Sequence, residues 1–247
     1  MPSDALEDRR VNIDLGISAR PVGSTIAYTM PSDASNGNMT QIESSIAHAV
    51  PAGDILYRVR DIVLGGLILV LLSPVLLIIA VAIRLESPGP VLFRQQRGGL
   101  HGNPFTCLKF RSMRVLEDGD DVRSAARGDD RVTVVGRYLR RASLDELPQL
   151  INVVRGDMSL VGPRPHAVKH DRLYDRKFAN YKLRFNVRPG MTGLAQILDL
   201  RGGIDSDVAI ASRIAADLNY IDRRSMILDF VIMVMTPVML IFCRSAY

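Results

Sequence analysis

The sequence predicts a mostly helical protein seated on a membrane. Three observations carry that expectation. Ile62 to Ile83 runs 22 residues without a charge, and Phe230 to Phe242 forms a second, shorter apolar stretch. Between them, roughly over residues 85–225, helical stretches alternate with Gly and Pro breaks such as SPGP, GPRP and RPGMTG. The 247 residues suffice for one sizeable domain with appendages rather than two full domains.

Residues 1–50 are rich in Ser, Asp, Asn, Gly and Pro, show little apolar periodicity, and cannot bury enough apolar surface to order themselves. They are read as a flexible tail, residues 1–53, ahead of a functional domain over residues 54–247. The tail has no early apolar core of the secretory kind, so the chain is expected not to be secreted. Net charge is +5, and the first fifty residues hold three arginines against six acids, so the remaining body is distinctly basic. A basic body suits an anionic partner, whether nucleic acid, an anionic membrane face or a phosphorylated small molecule. Cys107 and Cys243 fit neither a metal-ligand spacing nor a disulfide scaffold, which suits a reducing, cytoplasmic setting.

The long apolar segment, as a helix, would reach about 33 Å and cover a bilayer. On length alone it reads as a single crossing helix. Two features favour a segment that enters and turns back. Ser73-Pro74 lies at its midpoint, where proline removes a helix hydrogen bond and the Ser hydroxyl can satisfy the freed carbonyl. The flanks are basic on both sides, with Arg58 and Arg60 before and Arg84, Arg94 and Arg97 after, so charge gives no orientation for a crossing. The thirteen-residue C-terminal stretch suits an interfacial or core helix.

The segment SLDELPQ, Ser143 to Gln149, holds two adjacent carboxylates after an arginine-rich stretch. Ser143 and Glu146 fit a capping box, and acids in a first turn suit the helix dipole. The surroundings also suit chemistry: Lys109, Arg111, Arg114, Arg137, Arg140 and Arg141 precede the pair, and Arg155 and Arg164 follow. In GPRP, two prolines bracket Arg164 and aim its guanidinium, a planar fork suited to phosphate or carboxylate; a purely structural turn fits the same residues. Neighbouring helix positions point about 100° apart, so Asp145 and Glu146 suit divided labour: one a nucleophile toward phosphorus, the other a holder of Mg²⁺. No Walker loop, dinucleotide fingerprint, zinc-protease motif or nucleophile elbow is present. His166 and His170 share a helical face but lack an acidic partner in the same motif, which argues against zinc.

The motifs in order, RLESPGPVLFRQQRGG, LKFRSM, SLDELPQLINVVRGDMSLVGPRP, RPGMTG and a terminal SAY, closely resemble the bacterial sugar transferases, the small monotopic phosphoglycosyl transferases. The resemblance covers about residues 55–247 and is nearest to the short exopolysaccharide-initiating members. It implies an α+β, mostly helical, monotopic membrane protein. Its parts would be a re-entrant helix at about 60–84 broken at Ser73-Pro74, a compact cytoplasmic catalytic region at about 85–225 and a C-terminal interfacial segment at about 226–243.

The implied reaction moves a sugar 1-phosphate, glucose or galactose by the exopolysaccharide resemblance, from a UDP-sugar to undecaprenyl phosphate and releases UMP. By correspondence Asp145 is the nucleophile that carries a covalent phosphosugar, and Glu146 is its partner associated with Mg²⁺, with Asp145 and Asp157 as further candidates near the metal. Arg164 corresponds to a phosphate-contacting arginine, and Lys109 and Arg111 lie in the stretch near the active site. The resemblance also implies the cytoplasmic face of a bacterial inner membrane, contact with membrane lipids and no nucleic acid, and leaves a homodimer open. The rival from another class is a membrane-tethered scaffold whose SLDELPQ only caps a helix. The tail over residues 1–50 is the departure from the family pattern.

Overall fold

The computed structural model describes residues 52–114, 129–198, 200 and 207–242. The expected tail, apart from its last two residues, and the terminal SAY therefore lie outside the described residues. In chain order the elements are α1 (Ala52–Glu86), β1 (Leu92–Gly98), β2 (Pro104–Phe110), α2 (Val134–Arg141), a short 3-10 helix (Leu144–Glu146) and α3 (Gln149–Arg155). There follow β3 (Ser159–Val161), α4 (Val168–Lys177), a second 3-10 helix (Tyr181–Asn186), β4 (Gly190–Thr192), α5 (Leu194–Ile197), α6 (Asp207–Asp222) and α7 (Met226–Phe242). Among the described residues the result is mostly helical with two small sheets.

β1 and β2 form an antiparallel pair in register from Leu92 opposite Phe110 to Gly98 opposite Pro104. β3 and β4 are parallel, Ser159 opposite Gly190 and Val161 opposite Thr192. Parallel strands need a long crossover, which α4 and the second 3-10 helix supply. The two backbones meet so closely that a Cβ on Gly190 would lie 2.0 Å from the Gly162 nitrogen, and one on Gly162 2.5 Å from the Arg188 carbonyl. Glycine in both GPRP and RPGMTG is thus a requirement of backbone approach.

α1 begins ahead of the expected position near residue 60 and is helical on both sides of Ser73-Pro74. Pro74 has no N–H to give the Val70 carbonyl four residues back, and the Ser73 hydroxyl donates to that same carbonyl at 2.7 Å. The Ser73 hydroxyl thus takes up the carbonyl that Pro74 leaves without a donor, as the sequence reading expected. Midway along, Leu67, Val70, Leu71, Leu77 and Ile78 stand exposed. Among the described residues this is the one helix long and apolar enough to cross a membrane.

Both ends of α1 are fastened to the same compact unit. Near the start, Arg58 donates to the Val153 and Val154 carbonyls, each at 2.5 Å, serving the last turn of α3 where helix carbonyls lack internal partners. Arg60 binds Asp61, Asp229 and the Ser159 hydroxyl, while Asp229 also accepts from the Tyr220 hydroxyl at 2.9 Å. Near the end, Ile79 and Ile83 are buried with Phe110 and Leu139. Glu86 accepts from the Val134 nitrogen at 2.6 Å and from the Val135 nitrogen, filling orphan donors at the start of α2.

Asp229 is wholly buried, so removing it leaves the Arg60 charge with Asp61 as its remaining acid. Asp229→Ala is expected to cost stability at the lower end of the roughly 3–5 kcal/mol typical of a broken buried pair. Thermal unfolding in detergent, compared with the parent, measures it.

Candidate active site

The acidic pair sits between three elements. α2 ends at Arg141, Ser143 takes a left-handed backbone (φ 54), and the chain re-enters helical geometry as the 3-10 helix Leu144–Glu146 before Pro148 starts α3. The expected capping box is absent. The Ser143 side chain makes no cap hydrogen bond, and the Glu146 nitrogen bonds instead to the Ser143 carbonyl at 3.3 Å. A left-handed residue turns its side chain away from the following N–H groups, which removes the geometry a cap needs.

Glu146 is therefore free to reach elsewhere, and it meets two cations. Lys109, on β2, donates to Oε1 at 2.7 Å. Arg164 donates through Nη2 to Oε1 at 2.5 Å and through Nη1 to Oε2 at 3.0 Å, a two-pronged fork. The side chains of Lys109 and Glu146 are each 15% exposed and that of Arg164 40%, so the cluster opens toward solvent on its arginine side.

The two carboxylates are pushed apart in character. Burial alone would raise Glu146, but the charges of Arg164 and Lys109 and their hydrogen bonds overcome it and hold the group well below the ordinary carboxylate range. Burial raises Asp145 and the neighbouring Glu146 charge adds to the rise, against the pull of Lys109, Arg140 and Arg164. No hydrogen bond to the Asp145 carboxylate occurs among the described residues. One acid is locked as an anion, and the other stands unbonded and costly to ionise, so the two neighbouring carboxylates differ in character.

Of the residues singled out in the sequence, Asp145, Glu146, Lys109 and Arg164 come together. Arg111 does not join them. It is 2% exposed, and its guanidinium donates to the Pro88 and Ser87 carbonyls, the Ser87 hydroxyl and the Ile83 carbonyl, clasping the turn after α1. Asp157 accepts from Asn152 Nδ2 at 2.9 Å, a local bond within the α3 exit, and no described contact links it to the acidic pair. Ser73 and Pro74 lie within α1 as described. Among the described residues no group of three or more His, Cys, Asp or Glu could hold a metal ion.

Sequence reading passed over Asn152. Fully buried, it accepts from the Leu108 nitrogen at 3.0 Å and donates to the Thr106 carbonyl at 2.8 Å, so its amide serves the free edge of β2 as a strand would. This bond sets the strand that carries Lys109 against the helix that follows Glu146. An asparagine inside a helix carries no local signal of such a task.

A locked anion, a costly carboxylate and an aimed arginine, on a domain carrying a membrane-length helix, suit an enzyme that transfers an anionic group at a membrane. Comparison identifies the family. The sequence model described as "Bacterial sugar transferase" matches residues 52–243, and the chain belongs to that family. A relative from Caulobacter vibrioides named UDP-glucose:undecaprenyl-phosphate glucose-1-phosphate transferase is 55% identical over 79% of this chain and 73% of its own length. One of the same name from Escherichia coli is 50% identical over 78% of this chain but 42% of its own length. The exopolysaccharide production protein PSS of Rhizobium leguminosarum is 45% identical over 71% of this chain and 90% of its own.

Two stability measurements follow. Since Ser143 caps nothing, Ser143→Ala should shift stability by less than about 0.5 kcal/mol, against the ~1 kcal/mol typical of a lost helix cap. Asp145 has a folded pKa raised above its unfolded value, so its stabilising contribution is complete at low pH and is lost as pH rises through the folded pKa. Asp145→Asn should accordingly raise the melting temperature at pH 7.5, and the gain should vanish below the ordinary carboxylate pKa.

Proposed function

We propose that the protein transfers glucose 1-phosphate from UDP-glucose to undecaprenyl phosphate, releasing UMP, on the cytoplasmic face of a bacterial inner membrane. The observation that carries this reading is the division of the acidic pair: Glu146 held as an anion by Lys109 and Arg164, and Asp145 left without a hydrogen bond beside it. The names of the relatives support the choice of donor and acceptor.

In the first step an Asp145 carboxylate oxygen attacks the β-phosphorus of the donor. The bond from that phosphorus to the bridging oxygen breaks, and UMP leaves as an anion. In the second, a phosphate oxygen of undecaprenyl phosphate attacks the same phosphorus, the acyl–phosphate bond breaks, and Asp145 is regenerated. Desolvation that raises Asp145 also makes its anion more reactive once formed. Arg164, open on one side, is placed to meet phosphate charge, and Glu146 holds its fork in plane for that contact.

Mg²⁺ fits this site when it arrives with its substrate. The ion takes one or two carboxylates and completes its shell with phosphate oxygens and water, and the pair at 145 and 146 offers that number and no more. Asp145 and the lone pairs of Glu146 left by Lys109 and Arg164 would hold it. When bound it would neutralise charge on the diphosphate.

The membrane reading is a re-entrant α1. A straight helix of 35 residues would separate its ends by about 52 Å. Residues near both ends nevertheless bind one unit: Arg58 and Arg60 at one, Ile83 and Glu86 at the other. A helix crossing the bilayer would put one of these sets on the far side, away from its partners. The exposed apolar residues of α7, Ile227, Phe230 and Val234, suit an interfacial seat for the C-terminal segment.

Purified protein given UDP-glucose, Mg²⁺ and undecaprenyl phosphate should release UMP, and Asp145→Asn should abolish release. Absence of UMP from every donor in a panel that includes UDP-galactose would sink the assignment. The rate should rise with pH through an apparent pKa above the ordinary aspartate value, because the nucleophile must be ionised. For topology, single cysteines at Ile55 and Asn103, with Cys107 and Cys243 replaced, should both resist an impermeant thiol reagent in intact cells. Labelling at one of the two would restore a crossing helix.

A further inference from the structure

Between Val161 and the start of α4 the chain forms neither helix nor strand, yet four successive carbonyls are each taken by a different donor. Pro163 accepts from the Gly190 nitrogen at 2.9 Å and His166 from the Gly98 nitrogen at 3.3 Å. Pro165 accepts from Arg97 Nη1 at 2.6 Å, and Arg164 itself from Arg184 Nη2 at 2.7 Å. Two of the four donors are arginine side chains that make no described contact with the acidic pair.

Arg184 is the more committed of the two. It is 3% exposed, donates through Nε to Asp217 at 2.9 Å and through Nη1 to the Tyr181 hydroxyl at 2.8 Å, and lies 5.0 Å over the Tyr181 ring. Asp217, on α6, is equally buried. Holding a carbonyl does not require a charge, since a backbone N–H suffices at Pro163. Burying a guanidinium with a carboxylate strips both ions of water, so the arrangement is a costly way merely to fasten a loop. What a guanidinium adds is a rigid fork that sets direction as well as distance.

We infer that Arg184, itself fixed by Asp217 and Tyr181, is a positioning residue for Arg164: it sets the main chain from which the substrate-facing fork projects. The inference rests on the proposed function where it takes that fork to meet the donor diphosphate. Transmission is direct because Pro163 and Pro165 restrict the backbone on either side of Arg164. A displacement at the Arg164 carbonyl moves the segment as one piece, and the guanidinium with it. α6 thereby takes part in donor binding without touching the donor.

The test measures UDP-glucose binding by calorimetry in lipid nanodiscs, in an Asp145→Asn background where no turnover occurs. Arg184→Lys keeps the charge opposite Asp217 but cannot bond Asp217, Tyr181 and the Arg164 carbonyl together. It should weaken binding on the order of tenfold, since displacement of a positioned group by about 1 Å is costly. In an Arg164→Ala background the same change should weaken binding less than about twofold, because the two residues act as a unit. A merely structural role would lower the melting temperature with the same loss of affinity in both backgrounds, and that result overturns the inference. If Arg184→Lys does not fold, Asp217→Asn is read instead, and unchanged affinity there overturns it equally. Binding lost in Arg164→Ala but intact in Arg184→Lys defeats this inference alone. No binding of any nucleotide sugar by the Asp145→Asn parent defeats the functional reading and this inference with it.

Discussion

The Glu146 carboxylate is the point on which the site depends. It joins three pieces of chain that are far apart in sequence: its own 3-10 turn, β2 through Lys109, and the GPRP loop through Arg164. Each bond is charge-assisted, and together they outweigh the cost of burying the acid, which is why it stays ionised. The consequence for its neighbour is indirect. With Lys109 and Arg164 already drawn onto Glu146, Asp145 receives their field and that of Arg140 but no hydrogen bond from Lys109 or Arg164, and burial then dominates its ionisation. A single anion thus organises the arginine and leaves the adjacent carboxylate without a hydrogen bond from either cation.

Several features of this arrangement were legible in the residues. The apolar run, the alternation of helix with Gly and Pro breaks, and the juxtaposition of Asp145, Glu146, Lys109 and Arg164 follow from composition, punctuation and family pattern. Arg111 was not separable from Lys109 by sequence. Two residues apart on an extended chain they share one face, but β2 ends at Phe110, and beyond it the chain turns Arg111 onto the carbonyls after α1. Ser143 misled for a related reason. The S-x-x-E spacing is that of a cap, and only the left-handed backbone, which no local residue signals, shows that the side chain cannot perform it. Asn152, Arg184 and Asp217 were invisible because their tasks are long-range: an amide completing a strand edge, and an ion pair reaching a loop twenty residues away.

Proline and glycine act here in complementary ways. Pro74 would interrupt α1, and the residue beside it supplies the missing donor to the same carbonyl, so helical geometry continues in an apolar setting where an unpaired carbonyl would be costly. Pro163 and Pro165 instead stiffen a segment that has no secondary structure, while Gly162 and Gly190 let it press against β4. Stiffness without regular structure is what a loop needs if it is to present one side chain in one direction.

That requirement explains why the active cluster is built from backbone outward. A guanidinium projecting from a mobile loop would lose much of its advantage to the ordering required on each encounter with substrate. Here the carbonyls of Pro163, Arg164, Pro165 and His166 are anchored to β4, Arg184, Arg97 and the end of β1 in turn, so the ordering is complete before any ligand arrives. The same anchors connect the cluster to α6 and the β1–β2 hairpin. Through Asn152 and Arg58 it is tied to α3 and the start of α1, the one described helix long and apolar enough to cross a membrane. The position of the acidic pair relative to that apolar helix is then set by the same bonds that fold the domain.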